Sequence, residues 1–190
     1  MGRTNHWCRP KKPGGTVQAL YSFKMKSKAI LEIMETGLKS VEMSFETDDW
    51  RTIIPSSPGW YFIETDTPPD IFKNVGSPIG QRHYDIPKKV LESLALNKYD
   101  ACILPTDNPF YFIYSGEAKS LKARAREHMS GHPKTGCLAL INYESLHSYN
   151  WKFHFALFPI SKDPNESKLL RTLGEQVWRA KYGWPILCGK

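Results

Sequence analysis

Tyr114-Ser115-Gly116-Glu117-Ala118-Lys119-Ser120-Leu121-Lys122-Ala123-Arg124-Ala125-Arg126-Glu127-His128 is the stretch on which the reading of this chain turns. Phe110 to Tyr114 has the composition of a strand leading into it. From Ala118 to His128 the spacing becomes helical. Leu121 and Ala125 share one face, and Lys119, Lys122 and Arg126 cover the rest. Arg124 and His128 lie one turn apart on the same side.

Working outward, Gly59 to Glu64 reads as a second short aromatic strand, after a polar tract that ends in Pro55-Ser56-Ser57-Pro58. Residues 65–109 read as an elaborated connection. Within it, Thr67-Pro68-Pro69 breaks structure, Ile86-Pro87 opens a helix, and Ala101 to Leu104 forms a brief strand. Downstream, Trp151 to Ile160 is the longest strand candidate. A final helix starts at Asp163-Pro164, carries Leu169, Leu170, Leu173, Val177 and Trp178, and stops near Gly183. At the amino-terminal end, Ala29, Ile30, Ile33 and Met34 mark a helix over 26–35, with Gly37 as its stop. This order describes a small α+β domain.

The chain has 190 residues and a formal net charge of +7. Seven of its 26 Lys and Arg lie in residues 1–28, which contain no Asp or Glu, so the rest of the chain balances at 19 against 19. A cationic arm on a neutral body suggests a polyanionic partner, most simply nucleic acid. The four cysteines, Cys8, Cys102, Cys137 and Cys188, are dispersed, which argues against a disulfide framework or a four-thiolate zinc site. His128 and His132 are four apart, but Gly131-His132-Pro133 ends the helix before the second can join the first. There is neither a membrane-length apolar run nor a secretion signal, so a cytoplasmic location is expected.

At these residues the chain resembles the GIY-YIG nucleases. Gly59-Trp60-Tyr61 is similar to the first half-motif, with Trp60 replacing isoleucine. Tyr114-Ser115-Gly116 is similar to the second, with Ser115 replacing isoleucine. Leu121, Arg124 and His128 fall at the family's offsets, and Glu175 stands where the family carries its metal-binding glutamate. Trp184-Pro185-Ile186-Leu187-Cys188 resembles the family's closing segment, with Cys188 at an asparagine position. The resemblance implies an α+β fold with a small GIY-YIG core, namely a three-stranded antiparallel sheet flanked by helices. The core would span 59–190 with an insert at 65–109, preceded by a basic arm at 1–28 and a helical extension at 29–58.

It also implies a catalytic set of Tyr61, Tyr114, Arg124, His128 and Glu175. Tyr61 would accept a proton from the attacking water, with Arg124 lowering its pKa. Tyr114 and His128 would orient water and phosphate, and Glu175 would hold a single Mg²⁺, with Mn²⁺ as a substitute. A carboxylate is a hard ligand suited to Mg²⁺, and an arginine fork suits phosphate oxygens.

The chain ends soon after Glu175, which is the layout of the family's small type II restriction endonucleases. That points to site-specific cleavage of double-stranded DNA, to a homodimer on a palindromic site, to no membrane partner, and to a companion DNA methyltransferase. Arg3, Arg9, Lys11, Lys12, Arg82, Lys88, Lys89, Lys119 and Lys122 are candidate DNA contacts. The alternatives are a structure-selective or nicking repair nuclease, a catalytically inactive DNA-binding module, and a structural interaction protein.

Overall fold

A computed structural model describes residues 27–76, 84–95, 101–159 and 164–188. It is a mixed α+β domain built on a four-stranded antiparallel sheet in the order β1-β5-β2-β4. These strands are β1 (Lys39–Glu42), β2 (Gly59–Thr65), β4 (Tyr111–Ala118) and β5 (Trp151–Leu157). The helices are α1 (27–36), α2 (Pro69–Asn74), α3 (Ile86–Ala95), α4 (Leu121–Ser130) and α5 (Pro164–Tyr182). Two short strands, β3 (Cys102–Ile103) and β6 (Trp184–Pro185), pair in parallel and tie the connection after α3 to the carboxyl-terminal segment.

β2 is the central strand, and its alternation sorts the aromatics. Tyr61 and Ile63 point to one face. Trp60 and Phe62 point to the other. α5 covers the second face, where Trp178 stacks on Phe62 with ring centroids 4.3 Å apart. Gly174 permits this approach, since a Cβ there would lie 2.5 Å from Trp60 Nε1. α4 lies over the first face and inserts Leu121, Ala125 and Met129 into the larger core. Ser120 caps α4 by accepting from the Ala123 N–H at 3.3 Å.

Three expectations need correction. The sheet has four strands and not three, because Lys39–Glu42 adds to β5 as an edge strand. β4 extends through Ala118, where a helix was expected, because it pairs with β2 along its whole length. Pro69 opens α2 where a break was expected, since the first helical position needs no N–H partner. Asp163, expected as the cap of α5, lies outside the described residues.

Candidate active site

The site is assembled by the pairing of β2 with β4. β2 and β4 pair in regular register from Gly59↔Ala118 to Ile63↔Tyr114, but Glu64 then pairs with Phe112. Ile113 is therefore the extra residue. Tyr114, opposite Ile63 and two residues from Gly116, shares a face with Tyr61 by regular alternation, and the bulge beyond it turns Phe112 toward α5. As built, the two phenol rings stack with centroids 6.1 Å apart, and Phe153 of β5 stacks on Tyr61 at 5.4 Å.

Gly116 lies directly opposite Tyr61. A Cβ at Gly116 would fall 2.3 Å from the Tyr61 hydroxyl, so the glycine lets the phenol cross the edge strand. α4 meets that hydroxyl with two side chains. His128 Nε2 lies 3.0 Å from Tyr61 Oη, and Arg124 Nε donates to the same oxygen at 3.0 Å. The tautomer of His128 follows from its other nitrogen, which accepts from the Leu138 N–H at 3.3 Å. Nε2 therefore carries the ring proton and donates to Tyr61. Arg124 is fixed by Glu127 Oε2 at 2.8 Å and by the Gly136 carbonyl at 3.1 Å. These contacts use three of its five N–H groups.

Glu175 approaches from the other face. Arg171, Glu175 and Arg179 are spaced one turn apart on α5 and run beside edge strand β4. Arg171 Nε donates to Glu117 Oε2 at 2.7 Å. Arg179 Nε donates to Ser115 Oγ at 2.9 Å, and Arg179 also ion-pairs with Glu175. The Glu175 charge acts on both Tyr61 and Tyr114, and the Arg124 charge acts on Glu175. Tyr61, Tyr114, Arg124 and His128 thus come together on one face beside Gly116, and Glu175 stands on α5 at the other face, paired with Arg179.

The electrostatics differ from expectation at Tyr61. Burial pushes its phenol well above the ordinary value, reinforced by Tyr114, and Arg124 opposes without reversing this. Burial also pushes Tyr114 up to about 12. Burial, with the Arg124 charge second, holds His128 well below its ordinary value, so the imidazole is neutral at pH 7. Burial raises the Glu175 carboxyl, with Arg179 pulling the other way.

Beside Arg124 opens a shallow cleft of about 310 Å³ lined by Glu117, Lys119, Ser120 and Glu127. Among the predicted DNA contacts, Lys119 is exposed at this cleft, and Lys122 lies on the other side of α4. Lys88 and Lys89 are on α3, with Nζ atoms 4.0 and 2.8 Å from Glu92. Arg3, Arg9, Lys11, Lys12 and Arg82 lie outside the described residues.

The sequence reading passed over Glu117 and Glu127. Arg179, the ion-pair partner of Glu175, also anchors to Ser115. Glu127 was readable as the i+3 partner of Arg124. The Gly136 carbonyl left no sequence signal. Cys188, at the expected asparagine position, is buried and accepts from the Ser115 N–H at 3.2 Å.

Compared with known proteins, the chain matches no family model, no curated protein and no solved structure.

Proposed function

We propose that the protein is a GIY-YIG-type DNA endonuclease that hydrolyses phosphodiester bonds with one divalent metal ion, as a type II restriction enzyme does. One observation carries the reading: Tyr61 Oη receives both His128 Nε2 and Arg124 Nε at 3.0 Å, with the Tyr114 ring stacked beside it. A purely structural tyrosine needs one partner for its hydroxyl. Two donors converging on one phenol oxygen favour the phenolate when charge develops there.

In this mechanism Tyr61 is protonated at rest, because its burial outweighs Arg124. Tyr61 first loses its proton to bulk water; His128 Nε2–H and Arg124 Nε–H stabilise the resulting negative charge on Oη, and the phenolate then takes a proton from the attacking water as the hydroxide attacks phosphorus. Arg124 offers its two remaining N–H groups to the phosphate. Tyr114 closes the pocket against solvent and orients the water.

Among the described residues no three His, Cys, Asp or Glu side chains gather into a metal cage. A single carboxylate, Glu175, fits Mg²⁺ or Mn²⁺, which keep most of their waters and take phosphate oxygens as further ligands. Such an ion supplies Lewis acidity at the phosphate and at the leaving oxygen. Arg179, anchored on Ser115, keeps the Glu175 carboxylate in place.

One such site cuts one strand, so cleavage of a duplex calls for a homodimer, and a restriction role calls for a companion methyltransferase. Among the described residues no helix is long and apolar enough to cross a membrane. The test is incubation with phage DNA and Mg²⁺, with chelator and Arg124→Ala controls. Discrete fragments that vanish in both controls are expected. Intact DNA under all conditions would overturn the proposal.

A further inference from the structure

α4 divides its cations between two clefts. Arg124 lines the catalytic one. On the helix's other side, Lys122 and Arg126 line a second cleft of about 370 Å³ together with Arg51 and Asp48. Both clefts include Ser120 and Ala123, so a single low ridge of small side chains separates them.

The second cleft is built around a constrained guanidinium. The Arg51 side chain is only 11% exposed and sits over the Trp50 ring, 6.0 Å from its centroid. One terminal nitrogen pairs with Asp48. The other, Nη1, is buried without a hydrogen-bond partner. A buried guanidinium N–H lacking an acceptor is uncommon in a folded protein and calls for an explanation. An anionic oxygen entering from the cleft supplies the missing acceptor. Among the described residues Lys122 and Arg126 form no ion pair, so the cleft holds three cations against one carboxylate.

The backbone of α4 is already committed. Leu121 N donates to the Ser57 carbonyl, Lys122 N to the Pro55 carbonyl and Ala123 N to Ser120 Oγ, each at 3.1–3.3 Å. An anion in this cleft is therefore held by side-chain charge. A helix measures about 10 Å across, and each strand of a duplex presents a phosphate every ~3.4 Å of axis. A strand crossing the Ser120–Ala123 ridge at the start of α4 can place phosphates close along its length in both clefts.

We propose that the Arg51–Lys122–Arg126 cleft binds a backbone phosphate of the strand whose scissile phosphate lies at Arg124, close along that strand. The proposal rests on the nuclease reading for its substrate. It adds a second anchor that fixes how the strand runs over the helix.

The test uses the full chain carrying Glu175→Gln, in chelator, binding a fluorescent 20-base-pair duplex by anisotropy over a salt series. Lys122→Gln/Arg126→Gln, both at exposed positions, should weaken binding about ten-fold at low salt. Its slope of log affinity against log salt should be shallower by about 0.9, the value for one lost phosphate contact on B-DNA. Arg51→Gln should act in the same direction, with circular dichroism checking its fold. Lys39→Gln, on the distant edge strand β1, controls for net charge and should leave the slope unchanged. An unaltered slope in the double variant, or no duplex binding by the parent, overturns the proposal. Salt-sensitive binding that the double variant weakens, in a parent chain that never cuts with Mg²⁺, would keep the phosphate cleft and sink the nuclease reading. Cutting with an unaltered slope would do the reverse.

Discussion

The two faces of β2 carry the same kind of residue to opposite ends. Trp60 and Phe62 point toward α5, and Tyr61 and Ile63 point toward α4. On the α5 face the aromatics are closed off. Trp60 is fully buried, its indole N–H goes to the Arg171 carbonyl at 2.8 Å, and Phe158 meets its ring edge-on. On the α4 face Tyr61 is equally buried, yet its hydroxyl lies beside a charged arginine and a neutral imidazole. Burial of the ring does not distinguish the two. What differs is the helix opposite: α5 meets Trp60 with a backbone carbonyl and a glycine, and α4 meets Tyr61 with charge-bearing and proton-bearing side chains.

If that contrast is sound, neighbouring substitutions on one strand should separate stability from chemistry. Trp60→Ala should cost about 3–5 kcal/mol of stability, the usual range for a large buried aromatic. It should leave cleavage per folded molecule unaltered, measured by urea unfolding and by active-site-normalised rates. Tyr61→Phe keeps the ring and removes the hydroxyl. Cleavage should fall about 10²–10³-fold, comparable to losing a preorganised electrostatic contact in a transition state. Duplex binding should persist. Equal loss of rate in both variants would erase the distinction between the faces.

A smaller effect sharpens the same comparison. Gly174→Ala places a methyl 2.5 Å from Trp60 Nε1, where the neighbour is a packed indole and not a flexible chain end. Overpacking of this kind costs about 1–3 kcal/mol, which outweighs the helix-propensity gain of about 1 kcal/mol from replacing glycine. A lowered melting temperature is the expected result. A raised one would mean that α5 stands off the sheet, and Glu175 with it.

How much of this was legible beforehand depended on whether local pattern or pairing decided the outcome. α4 and α5 followed from apolar periodicity, and the stop at Gly37 from its glycine. β1 did not, because Lys39-Ser40-Val41-Glu42 has one apolar residue and owes its strand state to β5. Tyr61, Tyr114, Arg124, His128 and Glu175 came from the family resemblance, but no local signal in the sequence sets the register that places Tyr61 opposite Gly116 and Tyr114 opposite Ile63, with both phenols on one face. Nor could composition show that burial would outweigh Arg124 at Tyr61. That outcome depends on how completely Phe153, Tyr114 and α4 enclose the ring.

The smallest predicted effect concerns His128, which sits wholly buried among Tyr61, Tyr114 and the Leu138 amide. Unfolded histidine takes a proton near pH ~6.5. In the folded protein, burial and then the Arg124 charge hold that proton off until well below this value. Between the two values the unfolded chain binds more protons than the native one, so stability falls as pH falls. The slope approaches about 1.4 kcal/mol per pH unit. The contribution is fully present above pH ~6.5 and shrinks through the mildly acidic range. His128→Gln keeps a donor for Tyr61 Oη but cannot titrate. Its urea stability should therefore fall less steeply than that of the wild type between pH 6.5 and 5.5. Carboxylates such as Glu64, whose hydrogen bond with His154 lowers its pKa, lose stability in acid in both proteins and cancel in the difference. Parallel curves would show that the imidazole reaches solvent in the native state, and the fixed Nε2–H donor assigned to it would fall.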